Sequence, residues 1–212
     1  MTEAQLVRWV VKPLAWIGCL GPAAWLLRGI VTGDLGADPI KTLTHTTGLS
    51  ALVILLVTLS FTPVRRLTGW NGLIKARRLV GLFAFFYAVI HLSIYAVFDH
   101  ELSVTEIGAD IVEHPWVLVG FSAFLILLTL AVTSPMAMVR RLGGKRWRWI
   151  HRGIYLAAIL AVLHFFWLVK KDTREPLTYG AILAVILATR LVPRPAAATR
   201  KGRAQVPEGR PS

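Results

Sequence analysis

The chain has 212 residues, of which 55% are hydrophobic and 17% charged, and its formal net charge is +13. Its mean hydropathy of +0.61 is far from that of a soluble domain, so we predict an all-α integral membrane protein. The cations stand in short clusters between apolar runs, which argues against a nucleic-acid-binding surface. Because Cys19 is the single cysteine, an intramolecular disulfide and a multi-cysteine metal site are excluded.

Six apolar runs predict a bundle of six membrane-spanning helices, since a helix needs roughly 20 residues to cross the hydrocarbon core. In chain order the runs cover residues 13–31, 43–62, 79–98, 116–134, 149–169 and 177–192. The first run lacks a clear cleavage site, so we expect it to be retained rather than removed as a signal peptide. The last is the shortest and contains Arg190, whose long side chain is expected to reach toward the lipid headgroups.

The distribution of charge predicts the orientation of these spans. Nineteen of the 24 cations lie before the first run, between runs two and three, between runs four and five, or at the end of the chain. The positive-inside rule makes that side the cytoplasm, so a multi-pass membrane protein with both termini inside is predicted. We therefore treat residues 1–192 as one transmembrane domain and residues 193–212 as a disordered basic cytoplasmic tail drawn to membrane lipid.

Two histidines are buried deep in predicted spans. At about 1.5 Å rise per residue, His91 and His164 reach a similar depth in the periplasmic half of spans that both run outward. Two neutral imidazoles at one level can hold the iron of a haem between them. The simpler alternative is that each histidine only hydrogen-bonds a neighbouring helix. A matching pair favours the haem hypothesis, because ionisable groups inside a membrane are costly and usually functional.

The remaining histidines and two arginines leave more alternatives open. His151, near the cytoplasmic end of span five, is either a second iron ligand or a partner for a haem propionate, a flavin or a headgroup. His45 opens span two at the periplasmic end and is an alternative ligand or a neighbour of the haem. Arg77 and Arg78 either enforce topology only or also bind propionates or a flavin phosphate.

The acidic outer loop is expected to face the periplasm. It covers residues 99–113 and is a candidate docking surface for a soluble partner. His100 and His114, at and just beyond its ends, are expected to be solvated surface residues.

Five segments together resemble the MsrQ (YedZ) family, within the ferric reductase-like transmembrane superfamily. The segments are GDLGADPIKTLTHTTG (33–48), KARRLVGL (75–82), AVIHLSIYA (88–96), TSPMAMVRRLGGKRWRWIHRGIYLAAI (133–159) and LHFFWLVK (163–170). The likeness extends over nearly the whole chain to about residue 192.

The resemblance implies a haem b cytochrome of the bacterial inner membrane that passes electrons to a periplasmic molybdopterin-containing partner, MsrP. This partner reduces methionine sulfoxide in oxidised proteins. It implies haem binding at His91, His151 and His164, with His45 matching a further family histidine. It also implies FMN as a cofactor and either the quinone pool or a cytoplasmic flavin reductase as electron donor. No soluble FAD and NADPH domain accompanies the spans, so the donor is expected to be another molecule.

Two other functions compete with this prediction. One is a stand-alone haem ferric or quinone reductase that needs no periplasmic partner. The other is a haem-free transporter in which the buried histidines relay protons.

Overall fold

The computed structural model describes residues 2–169 and 171–191, and each regular element in that part of the chain is helical. The helices are α1 (Glu3–Leu6), α2 (Lys12–Thr32), α3 (Pro39–Thr68), α4 (Gly72–Ile94), α5 (Val104–Glu113), α6 (Pro115–Val132), α7 (Met136–His151), α8 (Gly153–Leu168) and α9 (Arg174–Leu191). Single π-helical turns join α1 to α2 and extend α4 to Asp99. The predicted all-α class is thus confirmed for these residues, and the tail predicted over 193–212 lies outside them.

Five helical stretches are long and apolar enough to cross a membrane. They are Glu3–Thr32, Pro39–Thr68, Gly72–Asp99, Pro115–Val132 and Met136–Leu168, and they contain the first five predicted spans almost completely. The predicted sixth corresponds to α9, an 18-residue helix that carries Arg174, Glu175 and Arg190. The chain is therefore a membrane protein with several spanning helices, and its sixth span stays a prediction.

Local sequence signals set where the spanning helices begin and end. Gly33 and Gly69 adopt left-handed φ values of 70° and 72° directly after α2 and α3, a conformation that glycine tolerates at helix ends. The Asp38 side chain accepts a hydrogen bond from the Lys41 backbone N–H at 3.0 Å and caps α3. Gly143, with φ 74° and ψ 149°, breaks α7 into two pieces. The part of α7 before Gly143 is thus a separate helical piece, and the fifth spanning helix runs on from the part after it.

The core of the bundle forms where α3 packs along α4 and where α6 packs along α8. Leu55 and Leu59 of α3 are 1% and 0% exposed and pack into one cluster with α4 and α8. Ala84, Ala157 and Ala158 are fully buried in the same cluster. Because small side chains let helix backbones approach closely, these alanines allow the helices to pack tightly about two turns before His91 and His164.

A tyrosine hydroxyl is inserted into the backbone of α2. The Tyr87 side chain is fully buried, and its O–H donates to the Cys19 carbonyl at 2.6 Å while its oxygen accepts from the Ala23 N–H at 3.0 Å. These are the two groups that would bond each other in a regular helix. Pro22 lies beside them, and proline and an inserted side chain are both recognised causes of a kinked helix. Tyr87 therefore ties α4 to α2 at this point.

The expectation that Arg190 reaches toward the headgroups is wrong. Its guanidinium donates hydrogen bonds to the Tyr155 hydroxyl at 2.6 Å and to the Leu59 carbonyl at 2.7 Å. Arg66 of α3 also donates to the Thr189 carbonyl at 2.9 Å. The guanidinium turns inward because a backbone carbonyl and a hydroxyl offer it partners within the bundle. Arginine side chains thereby fasten α9 to α3 and α8.

Replacing Tyr87 with Phe should destabilise the protein. The change removes the hydroxyl that bonds the buried Cys19 carbonyl and the half-buried Ala23 N–H, and a buried group left without a partner costs about 1–3 kcal/mol. The expected result is a lower melting temperature of the detergent-solubilised protein, followed by tryptophan fluorescence or a thiol-reactive dye. Tyr179→Phe is the matched control, since the Tyr179 hydroxyl makes no hydrogen bond among residues 2–169 and 171–191. Equal melting temperatures for the two variants would contradict this role of Tyr87.

Candidate haem-binding site

His91 lies on α4 and is held by the backbone of α3. Its Nδ1 is 3.0 Å from the Thr44 carbonyl oxygen. A carbonyl oxygen only accepts hydrogen bonds, so Nδ1 carries the proton and donates it. Nε2 of the neutral ring then has a free lone pair, which is the arrangement that metal-ligating histidines use.

His164 on α8 repeats this arrangement with a different neighbour. Its Nδ1 donates to the Trp116 carbonyl of α6 at 2.7 Å. The two imidazoles meet in the bundle, with 6.2 Å between ring centroids and an angle of 83° between ring planes. The expectation that the two rings lie at a similar depth is therefore met by the packing of the helices.

The geometry of the pair fits one metal ion shared by two imidazoles. Nitrogen–metal bonds of about 2 Å on either side of an ion put two ring centres roughly 6 Å apart. The angle of 83° is no obstacle, because each ring can stand perpendicular to a porphyrin while rotated relative to the other. A porphyrin supplies the four remaining nitrogen ligands, so two histidines complete the coordination of a haem iron.

His151 has a different environment from the pair. It is the last residue of α7, and its Nε2 lies 3.1 Å from the Thr133 hydroxyl. The Trp147 ring stacks on the imidazole at a centroid distance of 4.0 Å and donates its N–H to the Thr133 carbonyl. The Nε2 atom of His151 is thus hydrogen-bonded to a hydroxyl, whereas the Nε2 atoms of His91 and His164 have no hydrogen-bond partner among the described residues.

The other predicted site residues surround the pair at a greater distance. His45 lies on the α3 turn that contains Thr44, with its Nε2 3.7 Å from a Glu175 carboxylate oxygen and its ring edge toward Phe165. Arg77 is half-buried and Arg78 is exposed. Neither arginine forms a salt bridge or a side-chain hydrogen bond within the described ranges.

His100 and His114 are not the solvated residues that we expected. His114 Nδ1 lies 2.7 Å from one Asp110 carboxylate oxygen, and His100 Nε2 lies 3.4 Å from the other, to which the Tyr95 hydroxyl also donates. Burial acts to raise the pKa of Asp110, but the hydrogen bonds from Tyr95 and His114 outweigh it and hold the pKa below its usual value. The ionised Asp110 carboxylate therefore holds α5 against the outer end of α4.

Two kinds of residue in this site were missed from the sequence. The carbonyls of Thr44 and Trp116 accept from the histidines, and Gly48 and Gly120 lie against the imidazole rings. A backbone carbonyl carries no sequence signal. A glycine inside an apolar helix does carry one, but its meaning depends on which helix packs against it.

The chain belongs to the ferric reductase-like transmembrane components. Residues 46–162 match the family model described as "Ferric reductase like transmembrane component", an interval that includes His91 and His151 and ends just before His164. This match extends over more than half of the chain.

Similar proteins narrow the class further. The chain is 46% identical over 184 residues to the protein-methionine-sulfoxide reductase heme-binding subunit MsrQ of Herminiimonas arsenicoxydans, which covers 86% of this chain and 84% of the relative. It is 48% identical to the MsrQ of Rhodospirillum rubrum, with 84% and 86% covered, and 45% identical to that of Xanthomonas oryzae pv. oryzae, with 92% and 88% covered. The chain belongs to the MsrQ family, as its sequence motifs indicated. The names of these relatives mention haem and no flavin, so FMN stays a prediction.

Proposed function

We propose that this protein is a haem-binding electron-transfer subunit, which delivers electrons across the inner membrane to a periplasmic methionine sulfoxide reductase. The observation that carries the proposal is the meeting of His91 and His164, with each Nδ1–H fixed and each Nε2 left free. The names of the similar proteins support the same function, since each is a heme-binding subunit of a protein-methionine-sulfoxide reductase.

The two histidines would hold one haem b in the outer half of the membrane. When bound, haem b supplies an iron that takes up and releases one electron at a time. The protein's own contribution would be to hold the iron with His91 and His164 and to surround these residues with apolar helices. Ligand identity and burial are the main means by which a protein sets the reduction potential of such an iron.

The two ends of the bundle differ in charge, and this difference supports a different partner at each end of the proposed electron path. Cationic side chains are concentrated in the segments assigned to the cytoplasmic end, among them Arg77, Arg78, Arg140 and Arg141. This end is the proposed contact for the quinone pool or a flavin reductase, and for the phosphate of FMN if it binds. At the outer end, α5 carries acidic residues, and one of them, Asp110, holds this helix in place. We assign this acidic helix as the docking surface for the molybdopterin-containing partner, MsrP.

Methionine sulfoxide is a reversible lesion whose repair consumes reducing equivalents. Periplasmic proteins lie outside the compartment that produces those equivalents, so a membrane subunit must carry them across. The chemistry on the sulfoxide then belongs to the partner, and this chain supplies an electron path and a docking surface.

Replacing either histidine of the pair with Ala should remove most of the haem. The measurement is the pyridine haemochrome content per polypeptide after expression with excess haem precursor, with size-exclusion chromatography to establish that each variant is folded. His100→Ala is the control, because it removes an imidazole at the outer end that contacts Tyr95 and Asp110 and neither Thr44 nor Trp116, and it should keep its haem. Folded His91→Ala or His164→Ala protein with haem at the level of the unsubstituted protein would overturn the proposal.

The proposed orientation makes opposite predictions for two exposed positions. In a Cys19→Ser background, Glu113→Cys on α5 should react with a membrane-impermeant maleimide in cells whose outer membrane has been permeabilised. Arg141→Cys on α7 should react only after the inner membrane is broken, since cation-rich loops remain cytoplasmic. Labelling of Arg141→Cys in intact spheroplasts would show that the assigned direction is wrong.

A further inference from the structure

Each histidine of the pair rests on a glycine of the neighbouring helix. An added Cβ at Gly48 would lie 3.0 Å from both Nδ1 and Cε1 of His91. At Gly120 it would lie 2.6 Å from Nδ1 and 2.7 Å from Cε1 of His164. The two contacts occur on different helices, α3 and α6, yet involve the same two atoms of the imidazole ring.

The glycines also have the same relation to the hydrogen-bonding carbonyls. Thr44 precedes Gly48 by four residues, and Trp116 precedes Gly120 by four residues. In an α-helix these two positions lie one above the other on the same face, and the carbonyl of the first accepts from the N–H of the second. Each imidazole therefore lies over a glycine, which has no side chain, and reaches the carbonyl one turn away. This carbonyl oxygen already accepts one hydrogen bond within its helix and uses its second lone pair to accept from Nδ1–H.

A side chain in place of either glycine would prevent this approach. A separation of 2.6 Å is below any normal carbon–nitrogen contact, so at Gly120 either the ring or the helix must move. The 3.0 Å contact at Gly48 is less severe and requires a smaller displacement. Glycine weakens a helix interior by roughly 0.5–1 kcal/mol relative to alanine, so its use at both positions needs another reason.

We infer that Gly48 and Gly120 are positioning residues, which seat the two imidazoles so that backbone carbonyls fix their tautomer and ring plane for iron binding. The inference rests on the proposed function, because it concerns the same pair of histidines. It adds a physical cause for the orientation of both rings and names two residues that touch no iron themselves.

The first test measures the haem rather than the activity of the loaded complex. Gly120→Ala and Gly48→Ala are purified in detergent, and haem affinity, the visible spectrum and the midpoint potential are recorded. Loss of an outer-shell partner typically weakens metal binding by roughly 10- to 100-fold, and Gly120→Ala should fall in that range with a shifted potential. Gly48→Ala should show the same changes to a smaller extent, because its added methyl group is less crowded.

Gly18→Ala is the matched control. Gly18 lies inside α2, and no heavy atom of another described element lies within 4 Å of an added Cβ, so the substitution should leave affinity, spectrum and potential unchanged. Values for Gly120→Ala equal to those of Gly18→Ala would overturn the inference.

A double-mutant cycle keeps the test decisive if Gly120→Ala folds poorly. Removing the ring with His164→Ala removes the clash, so Gly120→Ala should lower the melting temperature of the parent protein but not that of the His164→Ala variant. An equal loss in both backgrounds would mean that Gly120 serves the helix and not the histidine. The cycle is run on haem-free protein and so does not depend on the cofactor.

The two proposals fail in different ways. If His91→Ala and His164→Ala keep their haem, the proposed axial pair is wrong whatever the glycine variants do. If those two variants lose haem while Gly48→Ala and Gly120→Ala bind it with parental affinity, spectrum and potential, only the positioning role of the two glycines is wrong.

Discussion

An imidazole inside a lipid-embedded bundle needs a partner for its N–H, and both central histidines find one in a backbone carbonyl. His91 donates to Thr44 and His164 to Trp116. A buried donor without a partner costs about 1–3 kcal/mol, so this bond sets which nitrogen carries the proton. The opposite nitrogen is left as a lone pair. The remaining features of the site serve this one constraint, because the helices must pack closely enough for a side chain to reach a helical carbonyl.

The packing around the pair shows how that closeness is obtained. Fully buried alanines on α4 and α8 let their neighbours approach, and two glycines leave room for the rings. The ends of the bundle are held by polar contacts instead. Arg190 fastens α9 to α3 and α8 through Leu59 and Tyr155, and Asp110 fastens α5 to α4 through Tyr95. Polar contacts at the ends and close packing between them position the two imidazoles, and the ligands and burial of an iron are the main influences on its potential.

The sequence indicated how deep His91 and His164 lie in the membrane, but it indicated much less about which faces of the helices meet. Residue counts along the apolar runs put His91 and His164 at one level, because a helix advances by a fixed rise per residue. The same counts do not say which face of α3 meets α4 or which face of α6 meets α8. The roles of Thr44, Gly48, Trp116 and Gly120 depend on those faces and were missed. Arg190 was misjudged for the same reason, since its inward partners lie on other helices, one of them a backbone carbonyl. Gly143 was a visible signal, because paired glycines within an otherwise helical segment commonly mark a break.

The sharing of one iron by His91 and His164 is tested most directly by low-temperature electron paramagnetic resonance of the oxidised protein. Two imidazoles at an angle of 83° between ring planes should give a low-spin ferric signal with the large anisotropy characteristic of near-perpendicular axial ligands. Replacing His164 with Ala should convert any remaining haem to a high-spin signal. A high-spin signal in the unsubstituted protein, or an unchanged low-spin signal after that replacement, would contradict the shared iron.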